Sequence, residues 1–99
     1  MANRSITGTG TVQNTGNQAV TCNVRMIVSQ TDPFGAPVNS TSNSASVTPA
    51  PGASQSLSIS ASLFVLSGNF LDIFMYLDIT SPVSLPNIDV RTFAYGPEP

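Results

Sequence analysis

The chain has 99 residues, of which only 8% are charged, and its formal net charge is -2. A typical soluble domain has about 25% charged residues. All three basic residues are arginines, and the chain has neither lysine nor histidine. So few positive charges argue against nucleic-acid binding. The missing residue types exclude a lysine Schiff base and the commonest general base of enzymes.

Neutral polar residues replace the missing ions, with 14 serines, 10 threonines and 8 asparagines. Free soluble proteins use charge to repel one another, whereas hydroxyl and amide surfaces repel little and form hydrogen bonds instead. This composition favours a subunit that packs among others, as in a virion shell or a fibre. The alternative is an ordinary soluble domain of unusual composition.

Cys22 is the only cysteine, so the chain forms no internal disulfide bond. We expect a small buried hydrophobic side chain at this position. An intermolecular disulfide or a metal ligand is the alternative.

The most apolar segment, residues 63–79, contains two acidic residues, Asp72 and Asp78. Each costs about 2.5–3.5 kcal/mol at the centre of a bilayer, so we predict no membrane span. Residues 1–10 have no apolar run after Arg4 and do not form a secretory signal. Either the protein stays in the compartment where it is made, or a leader has been removed.

Alternation of apolar and polar residues predicts the strands. Residues 5–12 form the first predicted strand, at a sheet edge, and residues 19–29 form the second. The turn signal at residues 14–17 predicts that these two strands pair as a hairpin. Gly8 and Gly10 in the first strand either leave space for a neighbouring backbone or mark a bulge.

Proline and glycine clusters predict loops at residues 31–37 and 48–52, with one or two short strands in residues 38–47. Residues 55–66 form the next predicted strand. Its apolar side chains point inward and its serines form a flat, uncharged outer face, which is a candidate contact surface. The inward residues are Leu57, Ile59, Ala61 and Leu63.

Residues 70–80 follow a turn at residues 67–69 and alternate again. The predicted inward residues are Leu71, Ile73, Met75, Leu77 and Ile79, and the predicted outward residues are Phe70, Asp72, Phe74, Tyr76 and Asp78. Apolar residues between positions 63 and 77 also fit helical spacing, which leaves a helix as the alternative. A strand is favoured because β-branched and aromatic residues are frequent here and every odd position is apolar.

Residues 88–95 form the last predicted strand, and the tail at residues 96–99 contains two prolines and is expected to be extended. About seven short strands separated by turns over residues 1–99 predict a single all-β domain with short extended N- and C-terminal tails. The expected architecture is an antiparallel β-sandwich.

Three segments carry a family resemblance: residues 10–20 (GTVQNTGNQAV), residues 47–57 (VTPAPGASQSL) and residues 67–70 (SGNF), which start a strand ending at Leu77 and Asp78. Their order resembles that of immunoglobulin-like domains of the CARDB or related bacterial surface type. The resemblance implies an immunoglobulin-like sandwich, as used in adhesion and spacer modules and in decoration domains of tailed-phage capsids and tails. It implies no catalytic residues.

Neither catalysis nor metal binding is expected. The serines have no histidine or lysine to act as a base. Asp72 and Asp78 lie about 20 Å apart on one strand, beyond the roughly 5–9.5 Å that glycosidase carboxylates need. Asp89 could approach either of them across the sheet. The chain has no calcium-binding loop motif, so we predict no metal site, no cofactor and no enzyme activity.

The predicted outer face of residues 70–80 carries three aromatic side chains, Phe70, Phe74 and Tyr76. Such a patch is typical of a protein interface, unless a loop or the tail covers it within the monomer. Phe93 and Tyr95 on the last strand complete the candidate interface residues.

We therefore expect a non-enzymatic structural or assembly protein. The leading hypothesis is a virion subunit, a phage capsid decoration or tail protein that contacts copies of itself or a larger capsid, tail or fibre protein. The alternative is an adhesive or carbohydrate-binding module at the cell surface or outside the cell, in which the same aromatic residues stack on a ligand.

Overall fold

The computed structural model describes all 99 residues and contains six strands and no helix. The strands are β1 (Ala2–Gln13), β2 (Thr21–Thr31), β3 (Pro37–Val47), β4 (Ser54–Val65), β5 (Phe70–Ser81) and β6 (Leu85–Tyr95). The fold therefore offers no helical segment that could span a membrane. The predicted all-β antiparallel sandwich is confirmed, with six strands in place of about seven. The polar segment after the first proline loop forms one strand, β3, and β1 begins at Ala2, three residues earlier than predicted.

The strands form two antiparallel sheets, a two-stranded sheet β1-β4 and a four-stranded sheet in the order β3-β2-β5-β6. The predicted hairpin between the first two strands is wrong, because β1 pairs with β4 from Ala2↔Val65 to Gln13↔Ser54. The segment after β1 crosses to the other sheet instead of turning back. Asn14 fixes this corner, since its amide donates to the carbonyls of Gln18 and Pro49 at 2.7 and 3.1 Å.

Alternate residues of β2, β4 and β5 point between the sheets and form the core. The core residues are Val24, Met26, Val28, Ile59, Ala61, Leu63, Val65, Leu71 and Ile73. Burying a side chain of this size stabilises the fold by about 1.5–3 kcal/mol, with less for alanine. Cys22 is also buried, as predicted, and burial raises the pKa of its thiol. The inward direction predicted for Leu71 and Ile73 is confirmed.

Gly8 allows β1 to approach the four-stranded sheet closely. A Cβ atom at Gly8 would lie 2.8 Å from the Met75 sulfur and 3.2 Å from the Met26 sulfur, whereas one at Gly10 would have no neighbour within 4 Å. Gly8 therefore leaves space, as predicted, but for two methionine side chains and not for a backbone. This contact places β1 above β2 and β5.

Side-chain hydrogen bonds close the sandwich along β3 and β4. The Asn43 amide donates to the Ser60 carbonyl at 2.8 Å. The buried Gln30 amide donates to the Phe64 carbonyl at 2.9 Å and accepts from the Leu66 N–H at 3.0 Å. These bonds cover the edge of β4 that has no partner strand in its own sheet.

The opposite side, between β1 and β6, is open because the four-stranded sheet is wider than the two-stranded one. The molecule measures 49 × 20 × 15 Å, and its radius of gyration is 15.7 Å. A compact domain of 100 residues has a radius of gyration of about 13 Å. The sandwich is therefore elongated and incompletely covered.

Candidate interaction surfaces

Strand β6 is uncovered on both of its faces. Every residue from Leu85 to Ala94 is exposed, and only Tyr95 at its end is partly buried. Its exposed apolar side chains are Leu85, Ile88, Val90 and Phe93, with exposed fractions of 46–54%. Apart from hydrogen bonds of Asn87 and Tyr95 near its two ends, only the ladder with β5 holds β6. Strands without a packed face are of marginal stability in water.

A groove lies between the free edge of β1 and the inner face of β6. Its lining includes Gly10, Met75, Leu77, Asp89, Arg91 and Phe93. Its volume is about 160 Å³, which is below the roughly 300–1,000 Å³ of most small-molecule sites. The groove therefore fits a protein segment better than a ligand.

The edge of β1 that faces the groove has no protection against strand pairing. β1 pairs with β4 alone and without any shift of register. From Ser5 to Gln13 it contains neither a charged residue nor a proline. Natural edge strands usually carry a charge, a proline or a bulge that prevents pairing with another chain. Strand β6 has such features near its start, at Pro86 and at Asn87, whose φ is 56°, and carries the paired charges Asp89 and Arg91 farther along.

A second surface, the outer patch, lies on the outer face of β2, β5 and β6 around Phe74 and Tyr76. The two rings are stacked, with centroids 6.3 Å apart. The Arg25 guanidinium lies 4.6 Å from the centre of the Tyr76 ring and also donates to Asp78 at 2.8 Å. Such a cation–π contact fixes the ring and covers one of its faces.

The carboxylates do not converge. Asp78 lies on the outer face, where the hydrogen bond from Arg25 and the backbone N–H of Asn87 lower its pKa. Asp89 lies on the opposite face of the sheet, beside Arg91 at 3.4 Å. Asp72 is exposed on the outer face. Asp89 therefore does not approach Asp72 or Asp78, and no three acidic or thiol side chains come together.

The five predicted interface residues lie on two different faces. Phe70, Phe74 and Tyr76 lie on the outer face, and Phe74 and Tyr76 are half-buried. Phe93 lies in the groove on the inner face and is 54% exposed. Tyr95 also points inward and donates a hydrogen bond to Glu98 at 2.7 Å. The five aromatic residues therefore do not form one continuous surface.

The C-terminal tail folds back onto the sandwich instead of extending away from it. The backbone of Glu98 accepts a hydrogen bond from Gly68 and donates one to Asn69. Its carboxylate accepts hydrogen bonds from Arg4 of β1 and from Tyr95 of β6. The tail thus closes the opening between β1 and β6 at one end and leaves the groove open beyond it.

The sequence pattern did not single out three buried polar residues that together hold one end of the sandwich: Gln30, Asn69 and Glu98. Gln30 could have been found, because it continues the inward positions of β2 after Val28 and a buried amide needs several partners. No pattern in the tail indicates that Glu98 is buried.

Comparison with protein-family models, with curated proteins and with solved structures gives no match for this chain. Its function is therefore inferred from the surfaces described above.

Proposed function

We propose that this chain is a non-enzymatic assembly subunit that acts through protein–protein contacts. The observation that carries the proposal is the exposure of β6 on both faces, next to an unprotected β1 edge. Exposed apolar side chains beside free backbone groups are typical of an interaction site. Association would cover it and stabilise a small domain by mass action.

The distribution of charge supports the same proposal. Each of the three arginines pairs with an acidic residue, which leaves few free charges; the pairs are Arg4–Glu98, Arg25–Asp78 and Arg91–Asp89. The outer face of β1 and β4 carries hydroxyl pairs, such as Thr7–Ser60 at 2.9 Å and Thr11–Ser56 at 3.2 Å. Neighbouring copies with such surfaces repel one another weakly.

Within this proposal, the subunit belongs to a virion, as a capsid decoration or tail protein, and contacts copies of itself or a larger capsid, tail or fibre protein. The scarcity of charge and the small sandwich support this role. The relation to immunoglobulin-like domains of the CARDB type stays a prediction. Constant-type immunoglobulin domains have seven strands divided four and three, whereas this chain has six divided four and two.

The alternative is an adhesive or carbohydrate-binding module. Sugar recognition needs an accessible aromatic face, and Arg25 already covers one face of the Tyr76 ring. Phe93 has the more accessible ring, but it lies in a narrow groove between two strands. These contacts favour assembly over sugar stacking.

Sedimentation velocity of the purified chain, together with a glycan array, distinguishes the two functions. Assemblies of defined size without glycan binding would support the proposal. A monomer at every soluble concentration that binds glycans would overturn it. Capsid, portal or tail genes beside the gene for this chain would support the virion assignment, and binding to purified particles from the same source would test it directly.

A further inference from the structure

We propose that the partner in the groove is β6 of a second copy of this chain. In the resulting dimer, β6 of each copy lies beside β1 of the other. This inference rests on the proposed function, since it names the partner and the surface of that association.

The unequal widths of the two sheets make the molecule complementary to itself. On the open side, β6 extends beyond β1, and the position next to β1 is empty. Consider a second copy rotated by half a turn about an axis that runs along the strands between the two sheets. Its four-stranded sheet then continues the two-stranded sheet of the first copy. In the same way, its two-stranded sheet continues the four-stranded sheet of the first copy. The dimer has two six-stranded sheets, each in the order β4-β1, then β6-β5-β2-β3 of the other copy.

The strand directions fit this pairing. β1 and β4 are antiparallel, and a turn at residues 66–69 reverses the chain between β4 and β5, so that β1 and β5 run the same way. β6 is antiparallel to β5 and therefore to β1. Rotation about an axis along the strands preserves these directions. The new β1–β6 pair is thus antiparallel, the arrangement in which neighbouring strands pair most often.

The side chains in the groove favour a second copy over an unrelated strand. The incoming β6 would place its Phe93 against Phe93 of the first copy, at the level of Ile73 and next to Met75 on the apolar floor of the groove. The groove also carries one anion and one cation, Asp89 and Arg91. Its net charge is zero, so a second copy with the same pair is not repelled. The long Arg91 side chain of each copy can reach Asp89 of the other.

The position of the tail limits the length of the new ladder. Glu98 fills the opening between Arg4 and Tyr95, so a strand cannot enter at that end. At the other end, Pro86 lacks an N–H, and Asn87 leaves the strand conformation with a φ of 56°. The segment from Ile88 to Phe93 is therefore the part of β6 that pairs with β1. A symmetric interface of this kind closes at two copies and leaves no β1 edge free.

Sedimentation equilibrium of the full chain tests the proposal through Phe93→Asp, with Phe34→Asp as a matched control. Phe34 lies in the loop between β2 and β3, is 95% exposed and does not line the groove. We expect the wild type and Phe34→Asp to dimerise equally, and Phe93→Asp to weaken the dimer by about 30-fold or more, as a central interface residue does. A monomeric wild type, or a Phe93→Asp variant that dimerises normally, would overturn the proposal.

Charge reversal gives a test that does not depend on a loss of folding. We expect Asp89→Arg and Arg91→Asp to be monomeric when separate, since each groove then carries two like charges. When the two variants are mixed, opposite charges meet and a heterodimer forms. Failure of the mixture to associate while the wild type dimerises would show that these residues do not face each other.

Hydrogen exchange locates the interface and separates the two proposals. In the wild-type dimer, peptides covering β1 and residues 88–93 should exchange more slowly than in Phe93→Asp. If the chain associates but protection appears around Phe74 and Tyr76 instead, the β1–β6 pairing is wrong and the assembly function stands. If the chain is monomeric and binds glycans, both proposals fail.

Discussion

Arg4 and Glu98, which are 94 positions apart in the chain, form a two-pronged ion pair with a shortest distance of 2.6 Å from Nη2 to Oε1. The Glu98 side chain is fully enclosed. Hydrogen bonds from Arg4, and secondly from Tyr95, lower its pKa from 4.5 to about 2. The pair joins the first strand to the tail that follows the last one.

This ion pair should make the stability of the fold depend on pH below neutrality. A lowered carboxyl pKa stabilises the folded state above the ordinary value of 4.5, and the stabilisation is lost as the pH falls towards 2. We expect Glu98→Gln to be less stable than the wild type at neutral pH. Between pH 4.5 and about 2, the free energy of unfolding of this variant should fall less than that of the wild type. Urea unfolding at a series of pH values measures both. Asp72→Asn, which changes an exposed carboxylate in the same way, should follow the wild-type profile; a Glu98→Gln profile parallel to that of the wild type would contradict the assignment.

Gln30 should be essential for stability although it is polar. Its side chain is 1% exposed and uses both of its polar atoms, donating to Asn39 and accepting from Asn69 at 2.9 Å. Gln30→Leu keeps the approximate volume but leaves buried partners without hydrogen bonds, which costs about 3 kcal/mol. Gln13→Leu, at an exposed position of β1, should change the free energy of unfolding by less than about 0.5 kcal/mol. Equal effects of the two substitutions in urea unfolding would show that the hydrogen bonds of Gln30 matter little.

Gly8 and Gly10 should respond oppositely to the addition of a side chain. Gly8→Val places a side chain against the Met75 and Met26 sulfurs and should destabilise the fold by about 1–3 kcal/mol. Gly10→Ala meets no atom within 4 Å, and neither glycine has a positive φ. It should therefore be neutral or stabilise by up to about 1 kcal/mol through the lower entropy of the unfolded chain. Thermal unfolding of Gly8→Ala and Gly10→Val as well allows each position to be compared with the same new residue. If the Gly8 variant unfolds at the higher temperature for Ala or for Val, the predicted difference between the two positions is wrong.

Arg25 should control the titration of Asp78. Its hydrogen bond is the main cause of the lowered pKa of Asp78, and the backbone N–H of Asn87 is the second. We expect Arg25→Met to raise the pKa of Asp78 towards its ordinary value, but not fully, because the Asn87 bond at 2.8 Å persists. Carbon-detected NMR titration of the aspartate carboxyls measures this shift. Arg91→Met removes an equal charge on the other face and should leave the Asp78 titration unchanged.

The alternating segments were the predictable part of the fold. The period of two in β4 and β5 identified the inward residues Ile59, Leu63, Leu71 and Ile73, because a buried sheet face requires an apolar residue at every second position. The same rule favoured a strand over a helix in the segment that became β5.

The pairing of strands was not predictable from local signals. A turn motif around Gly16 indicates that the chain changes direction, but not whether it stays in the same sheet. Asn14 decides this through hydrogen bonds to Gln18 and to the distant Pro49. Such a long-range contact leaves no periodic trace in the sequence.

The candidate surfaces were predicted in part. Phe74 and Tyr76 lie on the outward face, as the alternation in β5 indicated. Alternation within β6 alone did not give its register with β5, so the separation of Phe93 from these two rings appeared only in the structure. The groove itself depends on the absence of a strand beside β1, which a sequence pattern does not express.

The hydroxyl face of β1 and β4, with its Thr7–Ser60 and Thr11–Ser56 pairs, has a consequence for the colloidal behaviour of the protein. Dissolved ions screen charges but leave neutral hydroxyl groups almost unaffected. Where these groups dominate the exterior, moderate changes in ionic strength alter the attraction between molecules very little. Light-scattering virial coefficients should thus be nearly flat across dilute and physiological salt, unlike those of a highly charged domain of equal size.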